Sequence, residues 1–326
     1  MNRYLQRFLT ILLVLILPGL VIYFNVEYGL RKSEPDKLDI VLKSASITSV
    51  DHSGFEILQK EFRNPKEVTA ACLTCHNKRD EEVMQTAHWT WEREVVAEDS
   101  SIVLVGKKHV HNNFCTGAMG NNGSCMRCHI GYGWEDKDFD FHDPTNIDCL
   151  VCHDKSDTYK KQQGMAGWPA TEKTATKEFP VPDYNLVAQS VGYPDRDNCG
   201  VCHFFGGGGN NVKHGDLEAA LYHTTTEVDV HMGEDGLNMV CVDCHKTVRH
   251  NIPGRCYSVS GDNTNRLTCE SCHSDAPHND RILDYHNHKV ACQTCHIPVY
   301  AKVNGTTMYW DWFAAGRRDE FGNPIK

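Results

Sequence analysis

An unbroken apolar run at residues 8–24 opens the chain; it is 17 residues long and is preceded by Arg3 and Arg7. That length sits at the short edge of a membrane-spanning helix. The two arginines form a positive flank that keeps the N-terminus on the cytoplasmic side. No small-x-small cleavage site follows, because the next residues are Asn25-Val26-Glu27-Tyr28. Residues 1–24 therefore read as an uncleaved anchor. The alternative is a cleaved signal peptide whose apolar region ends at Pro18-Gly19. Both readings export the rest of the chain. Residues 25–67 read as a polar stalk, with strand character at Lys37-Leu-Asp-Ile-Val-Leu42. From residue 68 to 326 the pattern predicts short α-helices, long loops and little β-sheet.

Laid over that pattern is a motif of Cys-x-x-Cys-His. Its seven copies join Cys72, Cys75 and His76; Cys125, Cys128 and His129; Cys149, Cys152 and His153; Cys199, Cys202 and His203; Cys241, Cys244 and His245; Cys269, Cys272 and His273; and Cys292, Cys295 and His296. This is the attachment signature of haem c. Two thiols add across the two porphyrin vinyl groups, and the adjacent imidazole reaches the iron from one face. Chance placement in a chain of this composition gives far fewer than one copy. The chain thus reads as a multihaem cytochrome c whose work is electron chemistry.

Two rival readings fit less well. Zinc knuckles use paired Cys-x-x-Cys but do not require His directly after the second Cys. A disulfide framework has little to draw on, since fourteen of the sixteen cysteines lie in the motifs. Cys115 and Cys256 remain. They either pair with each other, as an oxidising compartment allows, or one is a free thiol near a reactive haem.

The net charge is −10, from 33 Lys and Arg against 43 Asp and Glu. Haem propionates add to it, so nucleic acid is excluded as a partner. The 326 residues would allow about two conventional domains. The motif starts are separated by 53, 24, 50, 42, 28 and 23 residues, so there is no fixed repeat. One macrocycle per roughly 32 residues makes the covalent haems themselves the core, with polypeptide wrapped around them. The glycines at 206–209 let backbone run hard against a flat porphyrin. They are not a phosphate loop, because no Gly-Lys-Ser/Thr follows.

A low-spin electron-transfer haem takes a second strong ligand on its other face, commonly His, whereas a weakly ligated sixth position admits substrate. Seven of the nineteen histidines are spent on the motifs. The remaining twelve are His52, His88, His109, His111, His142, His214, His223, His231, His250, His278, His286 and His288. They are enough to fill every site, so their number does not reveal an open one.

Several long strings carry a resemblance. They are Thr86-Ala-His-Trp-Thr-Trp91, Asn112-Asn-Phe-Cys115, Cys128-His-Ile-Gly-Tyr-Gly-Trp134, Cys199-Gly-Val-Cys-His-Phe-Phe-Gly-Gly-Gly-Gly209, Val212-Lys-His-Gly-Asp-Leu217, Asp229-Val-His-Met232, Val290-Ala-Cys-Gln-Thr-Cys-His-Ile-Pro298 and Trp310-Asp-Trp312 with Ala315-Gly316. From about residue 68 onward the chain resembles the octahaem tetrathionate reductase family of periplasmic cytochromes. The resemblance implies bis-His ligation for most haems, with His88, His214, His231, His250, His278 and His286 as the distal ligands. It leaves out His142, His223 and His288. It also implies one reactive haem whose sixth ligand is a lysine amine. The matching segment is Asp154-Lys-Ser-Asp-Thr-Tyr-Lys-Lys161, with Lys160 as the ligand, Asp157 as a polar active-site group and the second motif as the reactive haem. The plain alternative for Lys160 and Lys161 is two solvated charges on a loop. Family members carry eight haems, so a chain with seven motifs that ends at Lys326 reads as truncated, the alternative being a true heptahaem protein.

The function this implies is a reductase on the periplasmic side of the cytoplasmic membrane, anchored at its N-terminus or soluble if cleaved. A quinol-linked donor or a small cytochrome supplies electrons, and the acceptor is tetrathionate, nitrite or hydroxylamine. A local basic pocket from Lys160, Lys161 and Arg127 offsets the acidic chain for an anionic substrate. A homo-oligomer is a further expectation. The rival class is an electron conduit in which every haem is bis-His.

Overall fold

The computed structural model of the protein describes residues 3–29, 50–106, 120–205, 210, 217–254, 267–297, 303, 313 and 316–323. Residues 37–42, His109, His111, Cys115, the glycines 206–209, His214, Cys256 and residues 310–312 lie outside the described residues. The chain divides into two compact units, Met1–Thr48 with Thr268–Pro298, and Ser49–Leu267 with Val299–Lys326. The sequence reading had placed residues 68–326 in one domain.

In the first unit the apolar run becomes helix α1, Arg3–Gly29. It passes through Pro18 rather than ending there. Over Arg3–Tyr23 it is long and apolar enough to cross a membrane. Ile11, Leu13, Val14, Ile16 and Leu17 stand exposed along it.

The second unit is built from short helices on loops. Helix α2, Pro65–Cys75, starts where Asn64 accepts the Glu67 amide at 3.1 Å and Pro65 takes the first turn. Such a cap is worth about 1 kcal/mol. The helix stops at His76, so the first motif is the end of a helix. Helices α3, Arg79–Met84, and α4, Ala87–Thr90, lead into strands β1, Arg93–Val96, and β2, Ile102–Val105. The strands are antiparallel, with Arg93 opposite Val105 and Val96 opposite Ile102, and among the described residues they form the whole sheet. Helices α5, Asn122–Cys125, and α6, Leu150–His153, carry the second and third motifs. After α7, Tyr184–Gln189, helix α8, Arg196–His203, carries the fourth motif behind a capping box of Asp195 and Asn198. Helix α9, Cys241–Cys244, carries the fifth. The first unit resumes with the sixth motif on a 3₁₀ turn, Cys269–Ser271, then α10, Arg281–Asn287, capped by Asp280, and α11, Gln293–His296, with the seventh motif.

The stretch 50–64 departs from the expected stalk. Leu58 and Phe62 are buried in one core cluster with Val68, Ala71, Tyr132, Leu150, Tyr159, Val187 and Ala188. Gln189 donates to the Leu58 carbonyl at 2.9 Å, and the Phe62 amide donates to Asn185 at 3.0 Å. Leu58 and Phe62, with the partly buried Ile57 beside them, gain enough by burial to pull this stretch onto α2 and α7. The cluster packs the helices of the first and third motifs side by side, and Thr69 on α2 donates to the Ile147 carbonyl at 2.8 Å.

Candidate haem-binding sites and the lysine loop

Two pairs of histidines meet in the second unit and one in the first, and the pairing can be tested against the group that the motifs imply. Two imidazoles bound to one metal from opposite faces, each through a bond of about 2 Å, place their ring centroids about 6 Å apart. His52 and His76 stack at 6.2 Å. His88 and His203 lie at 6.0 Å. In the first unit His278 and His296 stack at 5.8 Å. Each pair joins one motif histidine to one outside the motifs.

The second ring nitrogen gives an independent test. A metal-bound imidazole usually donates its other N–H to a carbonyl or carboxylate, which fixes the ring. His52 Nδ1 faces the Val50 carbonyl at 2.9 Å. His278 Nδ1 faces Asp284 at 3.1 Å, and His250 Nδ1 faces Glu82 at 2.9 Å. Among motif histidines, His153 Nδ1 faces the Gly192 carbonyl at 2.9 Å and His245 Nδ1 faces that of Pro253 at 2.6 Å. All five leave Nε2 for iron. These residues fit haem c with bis-His ligation.

The predicted distal set is thus divided by placement. His88 and His278 sit against a motif histidine. His88 is depressed to about 4 by burial, then by the charges of His203 and His245. His250 lies where its charge reaches both His76 and His153. His231 is exposed, and so is His286 on α10. His52 is the residue that the sequence reading passed over. It fell within the expected stalk, and the apolar Leu58 and Phe62 were the signal that this stretch packs.

The attachment sites adjoin one another. Cys72 and Cys149 are close enough for charge to couple them, and burial pushes the thiols of Cys72 and Cys152 up to about 11. The third motif's helix packs on the fourth's, as does the turn of the second. Cys128 and Cys202 are hydrogen-bonded, as are Cys199 and Cys241. In the first unit Cys269 bonds Cys292. The second unit therefore gives a continuous order of sites, first, third, fourth, then second or fifth.

The second motif has its own surroundings. His129 is fully buried, with Trp134, Trp89 and Trp91 centroids at 4.8, 5.1 and 5.7 Å and Phe139 and Phe141 behind them. Its Nε2 faces the Trp89 carbonyl at 2.6 Å, the reverse of His153 and His245. Taking an iron requires this ring to turn. The fit of Gly131 is tight, since a Cβ there would lie 2.7 Å from the imidazole and 2.9 Å from Trp89.

The lysine loop crosses behind this motif. Lys161 is buried, and its ammonium donates to the His129 carbonyl and, at 3.0 Å, to that of Gly131, with Asp148 at 3.3 Å. Two of its three N–H groups are spent on the carbonyls, and Asp148 pairs with its charge. Asp148 also accepts from Tyr132 at 2.8 Å, Tyr159 at 3.0 Å and the Val151 amide at 3.0 Å. Burial first, and the Asp148 charge next, raise both tyrosines well above their ordinary value. Lys160 and Asp157 are exposed, and Asp157 holds a left-handed backbone at φ 60°. Of the basic pocket expected from Lys160, Lys161 and Arg127, Lys161 is withdrawn, because Asp148 neutralises it. A polar hollow of about 390 Å³ lies beside the motif, lined by Asn121, Asn122, Ser124 and Glu135.

No family model matches the chain. An octahaem cytochrome c of Shewanella oneidensis, known from its crystal structure, is 43% identical and superposes with a TM-score of 0.70 over 84% of this chain and 60% of its own. The chain thus spans about 60% of that protein's length. An uncharacterised protein of Archaeoglobus fulgidus is 26% identical over 243 residues, which is 62% of this chain and 80% of the relative. The fold is that of a multihaem cytochrome c, with short helices, long loops and little sheet.

Proposed function

We propose that this protein is a multihaem reductase in which the second motif holds the reactive haem and the amine of Lys160 is its sixth ligand. The observation that carries the reading is the engagement of Lys161. Two of its donors are spent on carbonyls and its charge is paired with the buried Asp148. The loop therefore has one lysine locked into the protein and a neighbouring one, Lys160, left exposed. Donation to iron needs a neutral amine, which Lys161, clasped by a carboxylate, is poorly placed to become.

The bound haem supplies one-electron chemistry. The chain's residues do the rest. His129 holds the second site from one side inside its aromatic box. Lys160 and Arg127 bring positive charge to the mouth, where an anion must approach a chain of charge −10. Asp157, exposed three residues before Lys160, is the nearest carboxyl of the loop to exchange protons with solvent. The adjoining first, third and fourth sites keep electron hops toward the second motif short. The substrates we propose are tetrathionate, nitrite or hydroxylamine. The donor we propose is a quinol-linked protein or a small cytochrome on the periplasmic side, with α1 as membrane anchor. Seven haems are assigned, one per motif.

The test is a pair of variants in the mature holoprotein. Lys160→Ala should open one site, seen as a new high-spin signal in the oxidised spectrum. The haem count should stay the same and the bis-His signals unchanged. Turnover of tetrathionate or hydroxylamine should change at least tenfold, while reduction by dithionite should not. If neither spectrum nor turnover moves, the conduit reading replaces this one.

A further inference from the structure

Between the fourth and fifth motifs sits a guanidinium with one donor unused. Arg196 opens α8, three residues before Cys199, and is only 5% exposed. The two N–H groups of its Nη2 are shared among three acceptors, the Met232 carbonyl, Asn238 at 2.9 Å and the Met239 carbonyl at 3.0 Å. Its Nη1 faces Glu234 at 3.7 Å. Its Nε is buried and has no hydrogen-bond partner. A buried donor without an acceptor is unfavourable, so a native structure retains one where a partner is to come.

The surroundings limit what that partner can be. Of the two carboxylates that flank it in sequence, Asp195 caps α8 and pairs with Lys155, and Asp197 is exposed. Glu234 is half exposed and is also held by His223 Nδ1 at 3.0 Å. Met239, whose carbonyl Arg196 grips, is two residues before Cys241. The guanidinium is therefore fixed to the helix of one attachment site and to the segment leading into the next. Its charge reaches the Cys241 sulfur, which the Cys199 hydrogen bond chiefly, and Arg196 to a lesser degree, pull down to about 7. A planar fork with a free N–H suits a carboxylate. The carboxylates that arrive with each macrocycle are its propionates.

We propose that Arg196 is a positioning residue for the haem pair at the fourth and fifth motifs, its Nε–H donating to a haem propionate and its fixed charge raising that haem's reduction potential. The inference rests on the haem reading above, but not on Lys160 or on any substrate. A permanent positive charge beside a redox group favours the state with the extra electron.

Three measurements on mature holoprotein test it. Intact mass first counts the haems; a wild-type count of zero would defeat the haem reading itself, before Arg196 is at issue. Spectropotentiometry then compares wild type with Arg196→Gln and Arg196→Lys. One component should move to a more negative potential in Arg196→Gln, with its bis-His spectrum intact, and Arg196→Lys should recover most of that shift. Redox-difference infrared spectra with ¹³C-carboxylate haem should show one propionate band that shifts in both variants, because neither keeps Nε–H. Unchanged potentials and bands in Arg196→Gln would overturn the proposal, and so would a lower melting temperature as its sole effect. Should Arg196→Gln fail to mature, the infrared band in Arg196→Lys decides alone: a shift supports the propionate contact, and an unmoved band overturns it.

Discussion

Replacing Lys161 with methionine removes a charge from the least forgiving place in the second unit. The side chain of Lys161 is 2% exposed and that of Asp148 is fully buried. The substitution keeps the stem's apolar volume but deletes all three donors. Two carbonyls, of His129 and Gly131, lose a partner, and Asp148 is left buried with no cation. Its contacts with Tyr132, Tyr159 and the Val151 amide remain. Breaking a buried pair from one side costs about 3–5 kcal/mol. For a unit of this size that corresponds to a fall of about 6–20 °C in melting temperature. The assay is circular dichroism at one fixed scan rate, since unfolding of a haem-linked chain need not be reversible. Lys161→Met with Asp148→Asn should recover more than half the loss, because the neutral amide buries no charge, its oxygen still accepts from Tyr132 and the Val151 amide, and its NH2 donates to the Tyr159 hydroxyl where the second carboxylate oxygen had accepted. Lys160→Ala, on an exposed side chain, should stay within about 0.5 kcal/mol of wild type. The reasoning fails if Lys161→Met melts like wild type. It fails more seriously if Lys161→Met, and not Lys160→Ala, abolishes the lysine-type haem signal, for then the locked lysine is the ligand.

Other consequences can be measured directly. Intact mass after maturation should exceed the apo mass by seven haems, and a count of five or fewer would contradict the motif reading. His52→Ala should convert one low-spin haem to high-spin without changing that count, whereas His142→Ala, whose side chain is 96% exposed, should change no haem. The protein should sediment with membranes and need detergent for release, and a mature N-terminus found near residue 25 would show cleavage instead. Stability should fall as the pH rises past about 10, the ordinary tyrosine value. Tyr132 and Tyr159 are held protonated in the folded state, so the unfolded chain loses those protons first and alkali favours unfolding. Tyr159→Phe should blunt that dependence.

The parts legible in the sequence were those fixed by covalent chemistry. Cys-x-x-Cys-His is a local string, and its attachment role does not depend on what surrounds it. Low sheet content followed from seven motifs spaced without a period. Distal partners are another matter, because His52 meets His76 across 23 intervening residues and His88 meets His203 across 114. No local pattern marks such a meeting. Once coordinates are given, ring separation and the partner of Nδ1 mark it well. The packing of residues 50–64 is hidden from the sequence for a related reason: Phe55, Ile57, Leu58 and Phe62 follow no clean period, and the burial of Leu58 and Phe62 depends on α7, more than 120 residues later.

With Lys160 as the proposed ligand, the two adjacent lysines would let one loop serve stability and chemistry together. Neighbouring residues in extended backbone point to opposite sides, and an isolated bridge from Lys161 to Pro169 holds the loop extended at that point. One side faces the carbonyls of His129 and Gly131 and the buried Asp148, which demand a permanent cation. The other side faces outward, away from that carboxylate. Exchanging the roles would put a neutral amine beside a buried carboxylate and a locked ammonium beside an iron, and both are unfavourable. The clasp on Lys161 therefore does more than hold the second motif to the third. It fixes which way Lys160 points, so loosening it by Asp148→Asn alone should broaden the lysine-type haem signal even though Lys160 itself is untouched. A sharp, unshifted signal in Asp148→Asn would mean that the loop's course is set elsewhere.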